Sequence, residues 1–441
     1  MSIENPIESG NTHIETHELR ERMFFPHGDE IAKAFEKRFG KEVGPVETET
    51  IKEILNTYIE QKIRNTELYK SEELGASFVY SVTDIADLAK TLYTNFTKQD
   101  VSNLKKPEDS QEKDEKEFLF IGGIYNTEAG NEYVSQEKIF HDIFTALPGA
   151  IDDIRLGNEP KNKRIYTLGS PTNELGEISE SFLNNNVFSE FASLYSEFIK
   201  TKIENDDTEI KQNFNFNGIS IGAGIAVETA KKMLEEKVIT QSNEEASEKN
   251  IPLLRLRIDT PPGQSDAFPK VRKWQIPVGF VLELGRLAVT DPYLRNIMVD
   301  DKKFMDSKNS VLEEKGIIKH MSQEQEDLKK RTISIILKSL SDGVEIPKDL
   351  KLTEVIGTKD PLMYTPSFNK RVAEHQKTLS KRREENNESN TKSIGDNIVR
   401  KEEFPNRRTF SVSMGHNIPF LHDSEFNRLK RAVKSLTDLM E

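Results

Sequence analysis

Two rhythms of apolar residues divide the chain. From Asp29 to Phe96 they recur at intervals of three and four, first at Ile51, Ile54, Leu55, Tyr58, Ile59 and Ile63, then at Ile85, Ala86, Leu88, Ala89 and Leu92. That spacing lines one face of a helix. After a charged, low-complexity stretch, Lys98 to Lys116, the pattern changes to short apolar runs closed by turn residues. Glu117 to Ile121 ends in Gly122-Gly123, and Arg164 to Leu168 ends in Gly169-Ser170-Pro171. Ile251 to Ile258 ends in Asp259-Thr260-Pro261-Pro262-Gly263, Leu352 to Ile356 in Gly357, and Phe410 to Met414 in Gly415. Runs of this length, bounded by glycine and proline, predict buried parallel strands.

Helical patterns separate most of these runs, as at Val187 to Lys202. Strand and helix in alternation predict an α/β protein with a mostly parallel sheet flanked by helices, its functional residues at the carboxyl ends of strands. The expected organisation is a disordered segment over 1–20, a mostly helical N-terminal extension with its linker over 21–116, and a core over 117–263 and 346–441. A helical insertion over 264–345 holds Trp274 and the apolar stretch Val278 to Val289, and a charged flexible loop over 377–399 lies within the core. One alternative stays open for the extension. Phe78-Val79-Tyr80-Ser81-Val82 could instead supply a first strand of the sheet.

Candidate chemistry centres on Gly218-Ile219-Ser220-Ile221-Gly222. A Gly-x-Ser-x-Gly pentapeptide has meaning only between a strand and a helix, where it puts the serine on a strained turn. Phe214 to Asn217 precedes it as a strand, and Ala223 to Glu236 follows as a helix with Ile225, Ala226, Ala230, Met233 and Leu234 at helical spacing. A serine hydroxyl is a poor nucleophile until a base removes its proton, and a carboxylate must orient that base. Gly357-Thr358-Lys359-Asp360-Pro361 and Gly415-His416 follow later strands in the order Ser, Asp, His. Asp259, one strand earlier, is the rival acid, with capping of the turn before Pro261-Pro262 as its plainer reading, and His422 is the rival base, with a helix start beside Asp423 as its plainer reading.

With these three motifs in order, residues 117–441 resemble the α/β-hydrolase superfamily. The resemblance implies Ser220 as nucleophile, His416 as general base and Asp360 as its orienting acid. It also implies an oxyanion hole built from the backbone N–H groups of Ile221 and Ile124, although Gly122-Gly123-Ile124 stands where the family often has His-Gly. The insertion over 264–345 falls where the family carries a helical cap. The implied activity is that of a serine esterase, lipase-like in its acyl substrates. Amide or carbon–carbon bond hydrolysis, acyl transfer, or a non-catalytic scaffold on the same fold are the alternatives.

Composition narrows the partners. A net charge of -13 over 441 residues disfavours nucleic acid. No apolar run is long enough for a transmembrane helix, and Met1 to Glu18 lacks the basic and apolar regions of a signal peptide, so a cytoplasmic protein is expected. There is no cysteine, hence no thiolate metal site. The pair His13 and His17 lacks the glutamate placement of a zinc motif, and neither a P-loop nor a dinucleotide turn is present. No metal and no cofactor are expected. The expected partners are a small-molecule acyl substrate and, through the N-terminal region, a protein partner or a second copy.

Overall fold

The computed structural model describes residues 44–105, 115–122, 146–161, 163–172, 176–183, 187–204, 213–259, 278, 281–282, 322–342, 346–357, 406–412, 431 and 433–439. Its centre is an eight-stranded sheet. The strands are β1 (Thr66–Ser71), β2 (Ala76–Asp84), β3 (Glu115–Gly122), β4 (Lys163–Leu168), β5 (Asn213–Ser220), β6 (Leu253–Asp259), β7 (Leu352–Gly357) and β8 (Arg407–Val412). Their spatial order is β1-β2-β4-β3-β5-β6-β7-β8. β2 runs antiparallel to both neighbours, and every pair from β4 to β8 is parallel.

The sheet therefore begins earlier than the sequence pattern suggested. Thr66 to Asp84 lies inside the stretch expected to be a mostly helical extension, yet it forms the first two strands. The alternative left open for Phe78 to Val82 is the observed one. Helices frame this hairpin: α1 (Pro45–Arg64) precedes it and α2 (Ile85–Thr97) follows. Asp84 starts α2, its carboxylate accepting from the Asp87 N–H at 3.1 Å, which satisfies one of the orphan donors of a helix start.

Alternation along the strands sorts residues onto two faces. On one face Phe78, Tyr80, Phe118, Phe120, Tyr166, Phe214, Phe216 and Leu256 join a single core cluster. Against it pack α4 (Val187–Glu204) and α5 (Ile221–Glu235), after the short α3 (Glu180–Leu183). Aromatic rings bind these layers together. Phe120 lies 5.5 Å from Tyr195 of α4 and 5.2 Å from Phe216, and Phe78 lies 4.8 Å from Tyr195. Such edge-to-face pairs add to the area term. The buried Ile51, Ile54, Tyr58 and Leu88 of α1 and α2 stand outside that cluster, as do Val79, Leu119 and Ile165 on the opposite face of the sheet.

A short α6 (Asn243–Lys249) leads from α5 toward β6. Within 264–345, residues 278 and 281–282 are helical, and α7 (Gln323–Asp342) packs on α4. Two side chains hold α7 in place. Gln325 exchanges two hydrogen bonds with the backbone of Ile178, and Arg331 makes a two-pronged contact with Glu180 at 2.6 and 3.0 Å. The expected segments 1–20 and 377–399 lie outside the described residues, as do 260–277 and 283–321. Among the described residues, no helix is long and apolar enough to cross a membrane.

Candidate active site

Strand order alone picks out one place on the sheet edge. The chain leaves β3 toward β4 on one side and leaves β5 toward β6 on the other, so β3 and β5 flank the point where the winding reverses. Ligands of open α/β sheets bind beyond the carboxyl ends of strands at such a point. There, Gly122 is the register partner of Ser220.

Ser220 is the last residue of β5 and the cap of α5, with φ 53° and ψ -120°. Three other described non-glycine residues have positive φ, Lys98, Lys237 and Asn250. Lys98 and Asn250 are ordinary left-handed helix ends, with ψ of 18° and 40°. Ser220 instead sits at a helix start, with a ψ outside the left-handed well. A non-glycine residue held there stores on the order of 1–3 kcal/mol, a cost that persists only where the surroundings impose it.

The surroundings do so through Gly218. A Cβ at that position would stand 2.5 Å from the Gly222 carbonyl oxygen, 2.6 Å from the Ala223 Cα and 2.8 Å from the Ala226 Cβ. Glycine is thus what lets α5 fold back onto its own strand. The Ser220 side chain makes no capping bond to α5, and the residue is 9% exposed. Ile221 opens the helix, where the first N–H groups lack intrahelical partners and concentrate positive potential. The alternating strand and the helix expected around the pentapeptide are both present, the helix starting two residues earlier than its apolar pattern indicated.

An eight-stranded, mostly parallel sheet with a serine elbow between the fifth strand and its helix is the arrangement in which Gly-x-Ser-x-Gly serves as a nucleophile elbow. The chain has the α/β-hydrolase fold. No protein-family model matches it, and no curated protein does. Solved structures similar to it include N-formylmaleamic acid deformylase from Pseudomonas putida S16, at 12% identity and a TM-score of 0.34 over 84% of this chain and 99% of that one. A serine hydrolase from Cycloclasticus zankles overlaps at 11% identity and 0.38 over 83% and 96%. A serine hydrolase involved in carbazole degradation overlaps at 10% and 0.37 over 84% and 99%. Overlaps of this size add nothing to the strand order, and the fold stands on that order and on the elbow.

The remaining site residues divide by location. Asp360 follows the end of β7 at Gly357 by three residues, and His416 follows the end of β8 at Val412 by four. Both, with Ile124 and the rival base His422, lie outside the described residues. Asp259 lies within them, at the tip of β6 beside Ile219. It is 6% exposed, and its Oδ1 accepts from Arg257 Nε at 2.9 Å. The rival acid is therefore tied along its own strand to a cation.

One feature near the elbow escaped the sequence reading. On the face of β5 opposite the aromatic core, Asn217 donates to Glu117 of β3, and Glu117 lies 3.2 Å from Lys163 of β4. The signal for it was present as alternation, Asn213-Phe214-Asn215-Phe216-Asn217 beside Glu115-Lys116-Glu117. Among the described residues, no three His, Cys, Asp or Glu side chains are grouped to hold a metal ion.

Proposed function

We propose that the protein is a serine hydrolase that cleaves an ester or related acyl substrate through an acyl-enzyme. The observation that carries this reading is the backbone of Ser220, a strained non-glycine turn raised at the switch point of the sheet. In this reading the Ser220 Oγ attacks the acyl carbonyl while His416 takes its proton, and Asp360 holds the imidazole in the productive tautomer. The N–H of Ile221, the first of helix α5, and the N–H of Ile124 stabilise the developing oxyanion. His416 then returns the proton to the leaving group, and water repeats the sequence to release the acid.

Placement of the turns supports the assignment of partners. β7 and β8 are adjacent parallel strands, so their carboxyl ends emerge on the same edge as Ser220. Asp360 and His416 follow those two ends. Asp259 is already engaged by Arg257, which favours Asp360 as the orienting acid. Residues 264–345 leave the sheet at the carboxyl end of β6, so a cap formed by the part before α7 would begin at the same edge and select the acyl group.

Labelling by a fluorophosphonate probe tests the mechanism, and hydrolysis of short and long p-nitrophenyl esters tests the substrate class. Loss of both in Ser220→Ala and His416→Ala is the expected result. A wild type inert to the probe and to every ester would make the fold a binding scaffold.

A further inference from the structure

The proposed reaction needs the tips of β3 and β5 at a fixed separation, because one ends two residues before Ile124 and the other carries Ser220. Backbone pairing between parallel strands sets their register, but a side chain at the tip is misplaced by small tilts that the ladder tolerates. Side-chain rungs between these strands restrain such tilts. Asn215 Nδ2 donates to Glu115 Oε1, and Asn217 Nδ2 donates to Glu117 Oε1. In register, Glu115 pairs with Asn213 and Glu117 with Asn215. Each asparagine thus reaches one same-face position back along β3, and both rungs slant the same way.

The upper rung is the one beside the elbow. Asn217 is 7% exposed and directly precedes Gly218, while Glu117 is 2% exposed. The two Glu117 oxygens face different strands, Oε1 toward Asn217 and Oε2 toward Lys163, 3.2 Å away. A buried carboxylate persists only when its charge is matched and its lone pairs are used. Here that requirement is met by β4 on one side and β5 on the other, so Glu117 ties three adjacent strands together through Asn217, three residues before Ser220.

We propose that Asn217 and Glu117 are positioning residues for Ser220, their hydrogen bond holding the elbow level with Gly122 at the end of β3. This rests on Ser220 being the nucleophile. The test is the single-turnover rate of fluorophosphonate labelling of the full chain, measured over a range of probe concentrations. Asn217→Ala should lower the limiting rate by roughly ten-fold or more, since small misplacements near the reacting atoms are costly, while the half-saturating probe concentration stays unchanged. Asn215→Ala removes the equivalent bond one rung lower and should label at close to the wild-type rate.

Asn217→Asp alone sets two carboxylates against each other and should label slowly, the deficit relative to the wild type at the same pH shrinking as pH falls and the pair shares a proton. The double variant Glu117→Gln with Asn217→Asp reverses donor and acceptor, restores the rung, and should recover the rate at neutral pH. Two results would overturn the proposal: Asn217→Ala labelling at the wild-type rate, or the swap failing to recover while unfolding at the wild-type urea midpoint. A wild type that is never labelled is a different result, removing Ser220 as nucleophile and the positioning role with it.

Discussion

Gly122 and Ser220 stand opposite each other at the tips of β3 and β5. β3, which ends two residues before Ile124, is therefore level with the proposed nucleophile. An oxyanion hole needs its donors about 3 Å from one developing charge, and strand ends at a shared level are what the proposed donors, Ile221 and Ile124, require.

The strain at Ser220 can be measured. Glycine tolerates positive φ without the Cβ penalty, so Ser220→Gly should unfold at higher urea than Ser220→Ala, by about 1 kcal/mol. Both should be dead to fluorophosphonate. Equal stability of the two variants would show that the turn relaxes in the absence of the hydroxyl.

Gly218 and Gly149 make opposite predictions from the same substitution. Gly218→Ala drives a methyl into the Gly222 carbonyl and the Ala223 backbone, and overpacking of this kind costs about 1–3 kcal/mol. It should also slow labelling, since α5 must shift away from β5. At helical Gly149 an added Cβ meets nothing within 4 Å, so Gly149→Ala should raise stability by about 0.5–1 kcal/mol. Urea midpoints of the two variants check both signs.

How much of this was legible in one dimension depended on how local the signal was. Strands β3, β4, β6 and β7 were visible as short, largely apolar runs closed by glycine, proline or a polar turn, and β5 as an alternating run ahead of the elbow. Ser220 was visible because its strand, elbow and helix are consecutive. β1 was hidden by its composition: Thr66–Ser71 is an edge strand with Glu67 and Lys70 exposed, so no apolar run marks it. β2 could be seen only as an alternative, since Phe78 to Val82 sits between two helices. The Asn217–Glu117 bond joins residues one hundred positions apart, and only the sheet brings them together.

Burial gives an alkaline limit to stability. Tyr195 is buried in the core, with its hydroxyl donating to the Gly169 carbonyl at 2.7 Å, and burial pushes its phenol well above the usual tyrosine range. The folded state then keeps the proton to higher pH than the unfolded chain does. Its contribution is complete below about pH 10 and is lost as pH rises beyond that. Tyr195→Phe should cost about 1 kcal/mol at neutral pH and flatten the alkaline fall in the urea midpoint. An unchanged slope above pH 10 would assign the fall to other groups.

The choice between the two acids is open to a clean test, because their predicted failures differ in kind. Asp259 is joined to Arg257, whose side chain is 34% exposed. Asp259→Asn weakens a charge-assisted bond, costing about 1–3 kcal/mol of stability, while the proton relay stays intact. Labelling should persist with the pH dependence of the wild type. Asp360→Asn should instead lower the labelling rate by roughly a factor of 10⁴, as expected when the base is left in the wrong tautomer. If instead Asp259→Asn abolishes labelling and Asp360→Asn does not, the acid belongs to β6, and Arg257 becomes part of the machinery that orients it.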